Sequence, residues 1–401
     1  MKKGWEYKKL GEVITDLRTG LNPRIYFKLN TEDSKGAYIT VRELKGFNFE
    51  VDEKTDKINT DAVKRIDERS HLQIGDVLFS GTGTLGRTAL VLEKPKTWNI
   101  KEGVYAITPN NEMLMSKFLI YGFMSKPIMN RIYDKASGAT VKSIPMKNLR
   151  EIIFPIPPLS EQQRIVSYLD SAFAKIDAVA KNAEDSLNEA KALFQSALTK
   201  MMEPKEGWEE VTLEEICTSV NYGTSKPSIE NGKYKYLRMN NITNDGFLDL
   251  SHYKTITLSG KELDKSIVKR GDILFNRTNS RELVGKSCVF TDEEPMVIAG
   301  YLIRIKLKAG YDPQFITYNM NLQRSLGKFK GLIVGAVHQA NISAKNIQTI
   351  NIAVPSLSTQ QSIVSTLDSL KSKVDQLQSN FFRTLAECAA LKQSILRQTF
   401  E

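Results

Sequence analysis

The feature that most limits how this chain can fold is a helix-forming stretch that occurs twice, each time behind a proline. Pro157-Pro158-Leu159-Ser160-Glu161-Gln162-Gln163-Arg164-Ile165-Val166 returns about 200 residues later as Pro355-Ser356-Leu357-Ser358-Thr359-Gln360-Gln361-Ser362-Ile363-Val364. Proline ends whatever precedes it. Ser160 with Gln163, like Ser358 with Gln361, has the spacing of a capping box. Neither copy meets another proline or any glycine for some 40 residues. The first stretch carries Leu169, Phe173, Ile176, Ala180, Ala183, Leu187, Ala190, Phe194, Ala197 and Met201 in an unbroken four-three alternation. That is the seam of a coiled coil rather than the broad face of a globular helix. The second is looser: Leu367, Leu370, Val374, Leu377, Phe381, Leu385, Cys388, Leu391 and Ile395. Each helix should run about 60 Å, and a seam that long needs a cover. The other helix is at hand, so an intramolecular pair is expected; two independent bundle helices are the alternative.

The rest of the chain is duplicated too. Gly4-Trp5-Glu6 recurs as Gly207-Trp208-Glu209, with Gly20 and Gly223 each fifteen residues after the tryptophan. Tyr38-Ile39-Thr40-Val41-Arg42 resembles Tyr236-Leu237-Arg238-Met239, and Gly75-Asp76-Val77-Leu78-Phe79 returns as Gly271-Asp272-Ile273-Leu274-Phe275. Lys147-Asn148-Leu149 becomes Lys345-Asn346-Ile347 just before each proline-led helix. The order never changes. Short β-branched runs punctuated by Gly, Asn and Asp read as strands, and shorter helices are expected over 114–132 and 312–328. The expected divisions are 1–157, a first globular module; 158–203, the first long helix; 204–355, a second module; and 356–401, the second long helix. The fold class is α+β, a pseudo-twofold internal repeat of two similar modules joined by two long antiparallel coiled-coil helices.

Composition narrows the partners. No run approaches the eighteen or more apolar residues of a membrane span, and the first residues lack the apolar segment of a signal peptide. Cys217, Cys288 and Cys388 are odd in number and far apart, which points to a cytoplasmic protein with reduced thiols. The net charge is +10. Residues 160–202 hold five Lys/Arg against six Asp/Glu and residues 358–401 five against four, so the excess belongs to the globular modules. A basic excess there suits a polyanion, nucleic acid first.

The modules share framework but diverge in loops. Ser80-Gly81-Thr82-Gly83-Thr84-Leu85-Gly86-Arg87 stands opposite Asn276-Arg277-Thr278-Asn279-Ser280-Arg281, and Ser137-Gly138-Ala139-Thr140-Val141-Lys142 opposite Gly335-Ala336-Val337-His338-Gln339-Ala340-Asn341. Recognition usually differs in loops on a shared scaffold, so this reads as one device aimed at two targets. The first loop contains a literal GxGxxG, but a dinucleotide or adenosylmethionine loop needs a helix next. The run after the glycines, Arg87 to Leu92, is extended in character, and a hairpin loop is expected. No histidine has a Cys or His at metal-ligand spacing, no nucleophile elbow is present, and no catalytic constellation stands out. Arg and Lys can reach guanine, Asn and Gln adenine, and Ser or Thr base edges or phosphate. The candidates for DNA contact are Arg18, Arg87, Thr140, Lys142, Arg277, Asn279, Arg281, His338, Gln339 and Asn341.

In combination, the Gly-Trp start, the Gly-Asp-Val/Ile-Leu-Phe segment and the doubled proline-led helices resemble the specificity (S) subunit of type I restriction–modification enzymes, over essentially the whole chain. Ser356 for the second proline and Thr359 for Glu161 are mild departures in the second copy. The resemblance implies that each module is a target recognition domain reading half of a bipartite site in double-stranded DNA. The helices would set the spacer and dock two modification subunits, with restriction subunits joining them. For helix pairing and docking it points to Gln162, Gln163, Ile165, Leu169 and Ile176, and to Gln360, Gln361, Ile363, Leu367 and Val374. It implies no cofactor in this chain: AdoMet belongs to the modification subunit, ATP and Mg to the restriction subunit. An autonomous AdoMet-dependent DNA methyltransferase and a coiled-coil scaffold without a DNA role are the competing classes.

Overall fold

The computed structural model describes residues 4–336 and 339–401. Two compact units emerge, one of Met1–Glu184 with Phe381–Glu401 and one of Asp185–Asn380. In the first, Ile14–Thr19, Val104–Pro109, Val77–Ser80 and Thr88–Leu90 form an antiparallel sheet in that order. A smaller sheet takes Lys57–Ile58, Gly36–Ile39 and Trp98–Ile100, the last two parallel. Glu6–Lys9 pairs with Ile153–Ile156 just before the first long helix. The second unit repeats this plan. Cys217–Tyr222, Leu302–Leu307, Ile273–Asn276 and Ser287–Val289 make the larger sheet, and Glu209–Thr212 pairs with Asn351–Val354. Tyr234–Leu237 again runs parallel to Met296–Ile298.

The Gly-Asp-Val/Ile-Leu-Phe segment forms one of the two inner strands of its sheet, and its alternate side chains serve two cores. Val77 and Phe79 join the cluster around Phe118 and Phe154, whereas Leu78 joins Ile39, Val91 and Ile100 on the other face. Ile273 and Phe275 face one core and Leu274 the other in the same way. The glycines fifteen residues after each tryptophan have a steric cause. A Cβ at Gly20 would lie 1.8 Å from the Ile100 carbonyl oxygen, and one at Gly223 2.2 Å from that of Ile298. No side chain fits where the two sheets meet.

The long helices, hereafter rods, run Leu159–Met201 and Leu357–Phe400. In the first unit Phe173 meets Lys392, the Ile176 carbonyl receives the Cys388 thiol, and Ile165 and Leu169 share a core with Leu396 and Phe400. Rising numbers on one rod meet falling numbers on the other, so the segments are antiparallel. In the second unit Leu198 and Met202 share a core with Ile363 and Leu367. Every seam position expected on the first rod is buried or half-buried. On the second rod Leu377, Leu385 and Leu391 are exposed, and Gln378 and Thr384 take inward places. There apolarity misplaced three positions, because polar side chains occupy part of the seam, while the other six are buried or half-buried.

The capping expectation also changes. Both rods start two residues early, at Leu159 and Leu357, so Pro158 and Ser356 stand at the caps. Ser356 Oγ accepts the Thr359 N–H at 3.4 Å, and Gln163 turns forward to donate to Ser167 Oγ. The serine that departs from the first copy is thus the cap itself. The helix expected over 114–132 is two, Ser116–Met124 and Lys126–Lys135, broken at Ser125 with Pro127 in the first turn of the second. Its counterpart runs Pro313–Ser325, with a 3-10 turn at Lys328–Leu332.

Candidate nucleic-acid clefts

Each rod is seated on its own module by the same two contacts. Gln162, fully buried, donates to the Met113 and Pro157 carbonyls at 2.7 and 2.9 Å and accepts the Met115 N–H at 2.9 Å. Gln360 donates to the Pro355 carbonyl at 2.9 Å and accepts the Asp312 N–H at 2.8 Å. Tyr121 donates to Asp170 at 2.7 Å, and Tyr318 to Asp368 at 2.6 Å. Burial first, then the facing carboxylate, raises both phenols, which stay neutral donors. Gln162 and Gln360 are therefore corrected from helix-pairing or docking residues to buried clamps within their units. Gln163 and Gln361 remain exposed, while Ile165, Leu169, Ile176, Ile363, Leu367 and Val374 are buried.

With the frame seated, three connections in each module enclose a cleft over the parallel strand pair. In the first unit Thr40-Val41-Arg42-Glu43, Lys101-Glu102-Gly103 and Thr82-Gly83 bound about 430 Å³. In the second, Arg238, Ala299-Gly300-Tyr301 and Arg277-Thr278 bound about 540 Å³, with Lys226, Lys254 and Asn341 added. Register fixes the equivalence: Tyr38 lies opposite Asn99 as Tyr236 lies opposite Val297, and the residues just beyond open the clefts. Tyr38 and Tyr236 brace the floors through the Leu21 carbonyl and the Thr224 and Lys226 carbonyls respectively.

Several sequence candidates gather here. Arg87 donates to the Val41 carbonyl at 3.3 Å, and the loop of Thr140 and Lys142 is held against the first cleft by the Gly83 N–H on the Lys142 carbonyl at 2.8 Å. Arg277 and Asn341 line the second cleft, the Arg277 guanidinium 4.8 Å over the Tyr222 ring. Asn279 pairs with Ala340 in a three-stranded ribbon of Thr278–Asn279, Gln339–Asn341 and Val334–Ala336. Gln339 is in that ribbon, Arg281 braces it through the Gly335 carbonyl at 3.2 Å, and His338 lies outside the described residues. Arg18 is a correction. It is 9% exposed, donates to Asp76 at 2.7 Å and to the His71 carbonyl, and belongs to the sheet. A buried carboxylate captured the cation that sequence left free.

The sequence missed Arg42, Glu102, Lys226, Arg238, Lys254 and Tyr301. Arg42 and Arg238 sat in a segment recognised only as repeated framework; its end, just past the strand, was the available signal. Glu43 is 2% exposed. Burial alone would raise its carboxyl, but the Thr40 hydroxyl and N–H and the Arg42 guanidinium together hold it below the ordinary range. The GxGxxG loop joins antiparallel strands Val77–Ser80 and Thr88–Leu90, with no helix to face a phosphate. Among the described residues no cluster of three or more His, Cys, Asp or Glu is placed to hold a metal, and no helix is long and apolar enough to cross a membrane. Burial pushes the Cys217 and Cys288 thiols up to about 12.

The fold is one seen in type I restriction–modification systems. A chain from a structure addressing complex assembly and conformational transition of a type I R-M system superposes with a TM-score of 0.74 at 21% identity, covering 100% of this chain and 98% of that one. The HsdS subunit from Thermoanaerobacter tengcongensis gives 0.55 at 20% identity, covering 100% and 97%. The type I restriction modification DNA specificity domain matches residues 2–189 and again 205–380, and the chain belongs to that family. The EcoKI specificity subunit of Escherichia coli is 25% identical over 72% of this chain and 66% of its own length. The EcoBI specificity subunit of Escherichia coli is 24% identical over 68% and 62%. The aligned stretch thus spans a little under two thirds of those relatives.

Proposed function

We propose that this chain is the non-catalytic DNA-specificity subunit of a type I restriction–modification complex, each cleft reading one half of a bipartite site. The observation that carries this is the pair of equivalent clefts on one duplicated scaffold, alike in frame and different in lining. Phosphate contacts from the basic modules position the duplex, and side chains at the clefts and adjoining loops choose the bases. The rods act as a ruler, each clamped to its own module so that its length carries through to the readers. Half-sites on one face of DNA recur about every 34–36 Å, within the reach of helices about 65 Å long. The domain divisions at 157, 203 and 355 separate readers from rods.

Modification subunits dock along the outer faces of the rods, where Gln163, Gln361, Phe382 and Leu391 are exposed. Those subunits carry AdoMet, and restriction subunits bring ATP and Mg. The assembly works on cytoplasmic DNA. The test is single-molecule methylome sequencing of a host carrying the wild-type chain or variants. Removing one heptad from both rods should shorten the spacer and leave both half-sequences intact. Replacing residues 1–157 with another recognition domain should change one half-site alone; a change in both would overturn the reading.

A further inference from the structure

The two clefts share a frame but not a charge. The second is lined by Lys226, Arg238, Lys254 and Arg277 with no carboxylate, and none of the four is ion-paired among the described residues. The first is lined by Arg42 and Lys101 against Glu43, Asp56 and Glu102. Whole-module charge does not explain this. Residues 1–159 hold 26 Lys/Arg against 19 Asp/Glu and residues 203–357 hold 20 against 17, so the more basic module has the more acidic cleft.

Two of the three carboxylates have structural work. Glu43 is buried on Thr40 and Arg42, and Asp56 accepts from Asn30 at 2.9 Å. Arg42 is also engaged, with Glu43 at 2.8 Å and Asp52 at 3.5 Å. Glu102 is exposed, with no ion pair among the described residues, on the connection between Trp98–Ile100 and Val104–Pro109. An ionised carboxylate only accepts hydrogen bonds. In the major groove it is repelled by the acceptors of guanine and thymine, whereas cytosine N4 and adenine N6 donate. Adenine sets its N7 acceptor beside that donor, which leaves cytosine the better match.

Resting on the reading of the clefts as DNA readers, we propose that they share the work unequally: the second adds most of the phosphate grip to its own base reading, and in the first Glu102 selects a cytosine through its N4 amino group. Four unpaired cations around one cleft release counterions on binding any sequence. One spare carboxylate in the other contributes nothing to that grip and discriminates at one base pair.

Selection from a randomised duplex pool tests this, using the full chain alone and assembled with modification subunits. Glu102→Gln should raise pool-wide affinity and cut the preference for cytosine at one position of one half-site roughly tenfold. Arg238→Ala and Lys254→Ala should weaken all sequences alike, each lowering the salt slope by about one, and Arg42→Ala should leave that slope nearly unchanged. A preference for adenine at that position, or equal salt-slope losses from Arg42 and Arg238, overturns the division. Two wild-type half-sites untouched by Glu102→Gln overturn it while sparing the parent reading. A wild-type chain that enriches no sequence removes both.

Discussion

The aspartate of the Gly-Asp-Val/Ile-Leu-Phe segment is buried in both modules, yet the two copies neutralise it differently. Asp76 meets Arg18 from the outer strand of its sheet at 2.7 Å. In the second module Asn221 holds that strand position, paired with Arg304 on the neighbouring strand, as Arg18 is paired with Ala106. The arginine has crossed one strand. It still reaches the equivalent backbone, the Ile267 carbonyl in place of that of His71. Asp272 accepts the Lys269 N–H at 2.9 Å, and burial raises its carboxyl above the ordinary range against the pull of that bond and of Arg304. The scaffold therefore requires a carbonyl-seeking arginine near this corner more strictly than it requires a closed ion pair.

The sharpest way to break this contrast is to neutralise each aspartate. Asp76→Asn takes the closer and more buried of two carboxylates from the Arg18 guanidinium, leaving the half-exposed Asp16 at 3.3 Å, and should cost the first module about 3 kcal/mol. Asp272→Asn should change the second by no more than about 1 kcal/mol. The pH dependence should differ as well. Because its folded-state pKa is raised, Asp272 favours the folded state most below the ordinary carboxylate range, and that contribution falls as pH climbs through the folded value. Asp272→Asn should abolish the decline. Segment-resolved hydrogen exchange across pH reports both modules at once, and equal losses from the two variants would erase the distinction.

Where the modules agree, variants should agree. Gln162→Ala and Gln360→Ala each leave buried backbone groups without partners and should each cost about 2 kcal/mol. Protection should fall first at the start of the corresponding rod. A large difference between the two would mean that the rods are not seated alike. The smallest effect belongs to the exposed side of the second rod. Leu391, 51% exposed, should tolerate serine within about 0.5 kcal/mol, whereas Leu367→Ala, fully buried, should cost about 3 kcal/mol. Loss of modification-subunit binding by Leu391→Ser, with the melting temperature intact, would mark that face as a docking surface.

The duplication, both rods, the seam of the first rod and the hairpin nature of the glycine loop were legible from residues alone. Their information is local and periodic: a four-three rhythm, a proline stop, alternate side chains on a strand. The second seam was legible in part: Leu367, Leu370, Val374, Phe381, Cys388 and Ile395 turn inward, but polar residues such as Gln378 and Thr384 also sit in it, and a pattern of apolar residues cannot register them. The clefts were half legible. Divergent loops marked Arg277 and Asn341 in the second cleft and, beside the first, the loops of Arg87, Thr140 and Lys142, but Glu102 and Lys254 have no signature in their neighbours.

What the sequence determined by itself is the plan: module, rod, module, rod, with a break at each proline. What only the tertiary structure decided is the employment of individual polar groups. Gln162 became a clamp because the Met113 and Pro157 carbonyls close around it, and Arg18 was lost to the surface because Asp76, 58 residues away, is buried beside it. A polar side chain's role is set by the partners that folding brings within about 3 Å, and those partners lie too far along the chain for any local pattern to announce them.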